Sequence, residues 1–142
     1  MKKEVLGVNF DDLTREEAAQ AGAALLAEDK FHYVVTPNPE FILAAEKDRE
    51  FLQVLNGADL ALADGIGVVY SAKIQGTPLK GRVTGIAFAE DMLSCLNERG
   101  GRLYLLGAKP GVAEEAGRRI LERYPSITLC GAQDGYFKDE EA

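Results

Sequence analysis

A short apolar run that closes on an acid and two glycines, Leu60-Ala61-Leu62-Ala63-Asp64-Gly65-Ile66-Gly67-Val68, constrains this chain more than any other stretch. The part before Asp64 has strand character and the part after Gly65 has helix character, so the acid sits where a strand hands over to a helix. In open α/β sheets that is the end at which ligands bind. The pattern recurs at Val34-Val35-Thr36-Pro37-Asn38-Pro39-Glu40, and a third polar segment, Lys80-Gly81-Arg82-Val83-Thr84-Gly85, supplies a cation. Strand-like runs at 5–8, 32–36, 60–62, 102–106 and 127–130 alternate with helical periodicity, which favours a parallel sheet over an all-β or all-α domain.

The helices announce themselves locally. Thr14-Arg15-Glu16-Glu17 reads as a capping box ahead of an alanine-rich helix to about Glu28. Further helices are expected at 40–47, 49–56 and from Gly65 to about Ile74. The stripe Phe88, Ala89, Met92, Leu93 and Leu96 predicts a helix from about Gly85 that buries this face and stops at Gly100-Gly101. Val112, Ala116, Ile120, Leu121 and Tyr124 predict another core stripe before Pro125. The acidic end, 139–142, reads as the first turn of a further helix. The expected fold is α/β, Rossmann-like, with a mostly parallel sheet and helices on both faces, in a single domain over residues 1–142.

Composition narrows the function classes. With 142 residues and 46% apolar content the chain suffices for one ordinary core. A net charge of −7 argues against nucleic-acid binding, which needs a basic stripe to neutralise phosphates. No apolar stretch is long enough to span a bilayer, and Met1-Lys2-Lys3-Glu4 is not followed by a signal-peptide core, so cytoplasmic residence is expected. Cys95 and Cys130 lack metal-ligand spacing and read as reduced core thiols. His32, the single histidine, reads as structural, and neither a histidine-based metal site nor an Asp-x-Asp manganese bridge is expected. Neither a P-loop nor a Gly-x-Gly-x-x-Gly fingerprint is present, which weakens ATP, GTP and NAD.

Each polar corner has two readings on its residues alone. Asp64 is placed to take a proton from an attacking hydroxyl, or to cap the helix after it. Thr36 and Asn38, stiffened by Pro37 and Pro39, hold a hydroxyl and an amide toward a sugar or phosphate, or form an Asx-type turn into the next helix. Arg82 either donates two parallel hydrogen bonds to a phosphate or is a solvated surface arginine. Leu106-Gly107-Ala108-Lys109-Pro110-Gly111 joins a strand to a helix and can present backbone amides to a diphosphate. In the second glycine-bearing loop, Gly135-Tyr136-Phe137, Tyr136 either stacks on a base or joins the core.

Taken in order, Leu6-Gly7-Val8, Thr36-Pro37-Asn38-Pro39-Glu40-Phe41, the stretch 60–67, Arg82-Val83-Thr84-Gly85, Tyr104-Leu105-Leu106-Gly107-Ala108 and Gly135-Tyr136-Phe137 resemble the WecG/TagA/CpsF family of bacterial glycosyltransferases. The resemblance implies transfer of N-acetylmannosamine or a relative from a UDP-sugar to a polyprenyl-diphosphate-linked sugar, in teichoic acid or polysaccharide synthesis, with inversion and without metal or cofactor. It makes Asp64 the base, sets Thr36 and Asn38 to orient substrate, and puts Arg82 on a diphosphate. It assigns Gly65, Gly107, Ala108, Gly135 and Tyr136 to donor binding. Family members continue beyond Gly-Tyr-Phe with further units and a basic appendage, so the sequence reads as a C-terminally truncated member. The appendage would supply peripheral contact with the inner face of the cell membrane. A homo-oligomer is expected, burying Ile127, Leu129 and Phe137 beside an open sheet edge. The alternative is a catalytically silent sugar-nucleotide-binding fragment.

Overall fold

The computed structural model describes residues 2–138, so the helical turn expected at 139–142 lies outside the described residues. The chain divides into two compact units, one ending at Met92 and one beginning at Leu93.

The first unit opens with a hairpin, β1 (Lys2–Val5) antiparallel to β2 (Val8–Asp11), in register from Lys2 opposite Asp11 to Val5 opposite Val8. Residues 5–8, expected as one strand, are instead the turn and its two flanking residues. Leu6 and Gly7 both take positive φ, 50° and 89°, the two-residue geometry whose twist suits a hairpin. Asn56 fastens this turn from across the sequence, accepting from Asn9 N at 2.9 Å and donating to Gly7 O at 3.0 Å. Helix α1 (Arg15–Ala27) carries the expected capping box: Thr14 Oγ1 accepts from Glu17 N at 3.2 Å, and Glu17 accepts from Thr14 N at 3.4 Å.

Strands β3 (Val34–Val35) and β4 (Leu60–Ala61) pair in parallel, and their ladder is lengthened by Asp59 N to Tyr33 O at 3.0 Å and Leu62 N to Val35 O at 2.9 Å. Asp11 joins hairpin to ladder by accepting from Ala61 N at 2.8 Å. Between β3 and β4 run α2 (Pro39–Lys47) and α3 (Arg49–Asn56), and β4 is followed by α4 (Ile66–Gln75) and α5 (Gly85–Arg99). Val5, Val8, Phe10, Ile42, Leu55, Ala63, Val68 and Ala72 share one buried core. That core sits directly beneath the corners that follow β3 and β4.

The second unit, which α5 enters, contains β5 (Arg102–Leu106), α6 (Val112–Arg123) and β6 (Thr128–Gln133). β5 and β6 are parallel, from Arg102 opposite Thr128 to Leu106 opposite Gln133. Gly117 allows α6 to lie close on the ladder, since a Cβ there would come within 2.7 Å of Leu129 Cδ2.

The α/β class expected from the sequence is the class observed among the described residues, with six helices and three two-stranded ladders, two of them parallel. Several burial expectations need correction. No residue of α5 is fully buried and Ala89 is exposed; the covered part of the stripe, Phe88 and Met92, lies against Gly22 of α1, where a Cβ would meet Met92 Sδ at 2.6 Å. Val112 is exposed, and Ala113 and Gly117 take the buried side of α6 in its place. Ile127, expected at an open edge, is buried. Cys130 is exposed rather than in the core, because it alternates along β6 with the half-buried Leu129.

Candidate functional site

In the first unit, α2 and α4 begin just after β3 and β4, and α5 begins after the loop that follows α4. Asn38 caps α2: its Oδ1 accepts from Phe41 N at 3.1 Å, and Pro39 fills the first helical position. The Asx-type reading therefore holds for its oxygen, and its amide NH2 makes no hydrogen bond among the described residues. Helix α4 is capped by Gly65, with no side-chain hydrogen bond at that cap. The half-buried Asp64 carboxylate thus does not cap α4 and accepts no hydrogen bond among the described residues. Helix α5 is capped by Thr84, whose Oγ1 accepts from Ala87 N at 3.1 Å.

Close packing draws these three starts together. A Cβ on Gly67 would lie 2.9 Å from Pro39 Cγ and one on Gly65 3.2 Å from Pro39 Cδ, so both glycines serve the contact between the first turns of α2 and α4. Gly85 faces the other two corners: its Cβ position lies 3.4 Å from Thr36 Oγ1 and 3.5 Å from Asp64 Oδ2. Val83 N donates to Ala63 O at 3.0 Å, which runs the 82–85 segment alongside the end of β4. A hydroxyl, a carboxylate and the amino ends of three helices converge here. Unsatisfied N–H groups and the positive ends of helix dipoles make such a place attractive to anions.

The loop that carries Arg82 is held from both sides. Asp12 accepts from Lys80 N and pairs with Lys3 at 2.9 Å, while the Lys80 ammonium is committed to Glu17 at 3.0 Å. Lys3 and Lys80 hold the Asp12 carboxyl below its usual range against the opposing effect of burial. Arg82 is exposed and has no ion-pair or hydrogen-bond partner among the described residues. It is a guanidinium close in sequence to the corner that no described residue neutralises.

In the second unit, the two glycine-bearing loops bind each other. Gly107 N donates to Gln133 O and Gly135 N to Ala108 O, each at 2.9 Å. Gly107 and Ala108 have φ of 131° and 63°, and Gly111 caps α6 at 89° with no side-chain hydrogen bond. A left-handed alanine costs about 1–2 kcal/mol, which the hydrogen bond from Gly135 N to Ala108 O helps to offset. Tyr136 is 73% exposed, so its core reading fails; its N–H donates to Asp134 Oδ1 at 2.7 Å.

The sequence pattern of the glycosyl transferase WecG/TagA/CpsF family matches residues 3–142. The chain belongs to that family. Among curated proteins it is similar to enzymes named N-acetylglucosaminyldiphosphoundecaprenol N-acetyl-beta-D-mannosaminyltransferase. The Bacillus subtilis relative is 36% identical over 106 residues, 75% of this chain and 41% of the relative. The Bacillus spizizenii relative is 35% identical over 115 residues, 81% and 45%. A Staphylococcus aureus relative is 31% identical over 131 residues, 91% and 52%. The chain spans about half the length of the curated relatives it matches.

In this family member the structure brings Thr36, Asp64 and Gly85 to one point, with Asn38 and Gly65 joined to them through Pro39. Gly107, Ala108, Gly135 and Tyr136 belong to the second unit and form their own cluster. Sequence reasoning missed Gly85. The available clue was a glycine just inside a helix start, directly after a capping threonine, where a better helix former would ordinarily stand.

His32 bridges two carboxylates. Its Nδ1 lies 2.8 Å from Asp59 and its Nε2 3.0 Å from Glu28, and the hydrogen bond to the Asp59 carboxylate leads in raising its pKa above the usual value. A raised folded pKa means this contribution is fully present below about pH 6.5, the unfolded value, and is lost as pH rises through the folded one. His32→Gln should therefore melt below wild type at pH 6, with a smaller gap at pH 9. Thermal unfolding at both pH values checks this, and a gap that widens with pH would reject it. Among the described residues no group of three or more His, Cys, Asp or Glu side chains is arranged to hold a metal ion.

Proposed function

We propose that this chain carries the reaction corner of a glycosyltransferase that moves N-acetylmannosamine, or a close relative, from a UDP-sugar to an N-acetylglucosamine linked through diphosphate to a polyprenol, in cell-surface polymer synthesis. The convergence of Thr36, Asp64 and Gly85 at the amino ends of α2, α4 and α5 carries this reading. Asp64 takes the proton from the acceptor hydroxyl as its oxygen bonds to the anomeric carbon. The bond from that carbon to the UDP oxygen breaks from the opposite face, which inverts the centre. Thr36 and the Asn38 amide hold the sugars in line. The helix amino ends and Arg82 offset diphosphate charge in a chain of net charge −7, the work a metal ion does in other sugar-nucleotide enzymes. Taken by itself, the second unit offers the amides near Gly107 and Ala108 and the exposed Tyr136 ring to a uridine nucleotide. The names of the relatives support the acceptor class.

No helix among the described residues is long and apolar enough to cross a membrane. The lipid-linked acceptor class named for the relatives supports peripheral contact with the inner face of the membrane, with self-association as a further expectation. Because the chain spans about half of its relatives, a silent nucleotide-binding fragment is the second reading. Calorimetry with UDP, NAD and ATP tests the proposal: UDP should bind more tightly than either of the others. Tighter NAD binding would overturn the glycosyltransferase reading. UDP binding with no turnover, even when the chain is completed with a relative's remaining half, would favour the silent fragment.

A further inference from the structure

Helix α4 starts at the reaction corner and leaves it with an apolar row turned outward. Ile66, Tyr70 and Ile74 stand at four-residue intervals and are 59%, 58% and 87% exposed, while Val68 and Ala72 face the core. The row runs about 12 Å along the helix. Ile86, 77% exposed, stands in the first turn of α5, directly after Gly85. In a chain of net charge −7, α4 has no acidic residue, and its single charge is Lys73 in the last turn. Two isoleucines and a tyrosine exposed on one face of a helix that starts at the polar corner are more than scattered surface residues, and contiguous exposed apolar surface marks an interaction site.

We propose that Ile86, Ile66, Tyr70 and Ile74 form the track along which the first isoprene units of a polyprenyl diphosphate leave the corner. This rests on the reading of that corner as the seat of a lipid-linked diphosphate. With the diphosphate at the amino ends of α2, α4 and α5, the hydrocarbon attached to it must depart over adjoining surface. Ile66 lies two residues beyond Asp64 and Ile86 one beyond Gly85. The continuity of apolar row and anion-attracting corner fits a molecule that is itself an anion joined to a hydrocarbon. An aqueous sugar nucleotide gives no reason for four such side chains to be exposed there.

The test is calorimetry of the full chain with two probes, inorganic pyrophosphate for the corner and farnesyl diphosphate for corner plus track. Farnesyl diphosphate should bind about tenfold or more tightly than pyrophosphate, because isoprene methylenes leave water on the row. The double variant Tyr70→Ser/Ile74→Ser should lose most of that gain and keep its pyrophosphate affinity. Both changes fall on exposed helix positions, where substitutions cost little stability. Phe31→Ser, at an 85% exposed ring in a different segment, should keep the gain. The proposal is overturned, with the diphosphate reading intact, if pyrophosphate binds and the prenyl gain is absent, survives in the double variant, or is lost equally in Phe31→Ser. It is also overturned if sedimentation shows a dimer that the double variant dissolves and there is no prenyl gain, since a second copy then covers the row. If neither probe binds, the diphosphate reading fails and takes the proposal with it.

Discussion

Asp64→Asn should cut sugar transfer about a hundredfold or more, the scale of a lost general base, while UDP affinity changes little. The measurement is steady-state transfer by the chain completed with a relative's remaining half, beside calorimetry of the 142-residue chain. The substitution isolates basicity well. Asparagine keeps the size and shape of the side chain, and Asp64 makes no hydrogen bond to the start of α4 that its loss would break. Neighbouring packing is untouched, since Gly65 and Gly67 rest on Pro39 and not on the carboxylate. A fall in turnover with an unchanged melting temperature would therefore point to proton transfer. A fully active Asn variant would remove Asp64 from the chemistry and leave the corner to bind and orient substrate through its helix amino ends, Thr36, Asn38 and Arg82.

What was legible in the sequence follows the range of the interactions involved. The starts of α1 and α2 were read correctly because a capping box and an Asn-Pro pair act within four residues. The corner after β4 was legible for the same reason, as a strand run, an acid and glycines in direct succession. The hairpin was not, because its turn places Leu6 at a φ that leucine rarely adopts and is fastened by Asn56, some fifty residues away. A run such as Val5-Leu6-Gly7-Val8 looks like a strand until that distant partner is known. The commitment of Lys80 to Glu17, which leaves Arg82 without a partner among the described residues, depends on a contact of similar reach. Gly85 carries only a weak local clue as a site residue, because its meaning lies in its closeness to Thr36 and Asp64, two side chains from other corners. Burial stripes on α5 and α6 were overread: periodicity identifies the face a helix can bury, but the neighbouring layer decides how much of it is covered.

Phe10→Ala should destabilise the first unit by about 3–5 kcal/mol, the usual cost of emptying a buried phenylalanine site. Whole-domain stabilities are only about 5–15 kcal/mol, so this one change should bring the unit close to unfolding. Phe31→Ala, by contrast, should shift stability by roughly half a kcal/mol, as surface substitutions do. The two residues look alike in the sequence, each a phenylalanine in a short mixed run. Phe10 is fully buried at the end of the hairpin, among Ile42 of α2, Ala63 beside Asp64 and Val68 of α4, whereas Phe31 is 85% exposed and only stacks on Tyr33. Urea unfolding followed by circular dichroism measures both, and a cost below about 1 kcal/mol for Phe10→Ala would mean that the hairpin does not organise this core. The same core sets the positions from which α2 and α4 start. Pyrophosphate affinity at the corner should therefore fall with stability in Phe10→Ala and hold in Phe31→Ala, which ties the anion-attracting geometry to the hairpin beneath it rather than to the polar residues alone.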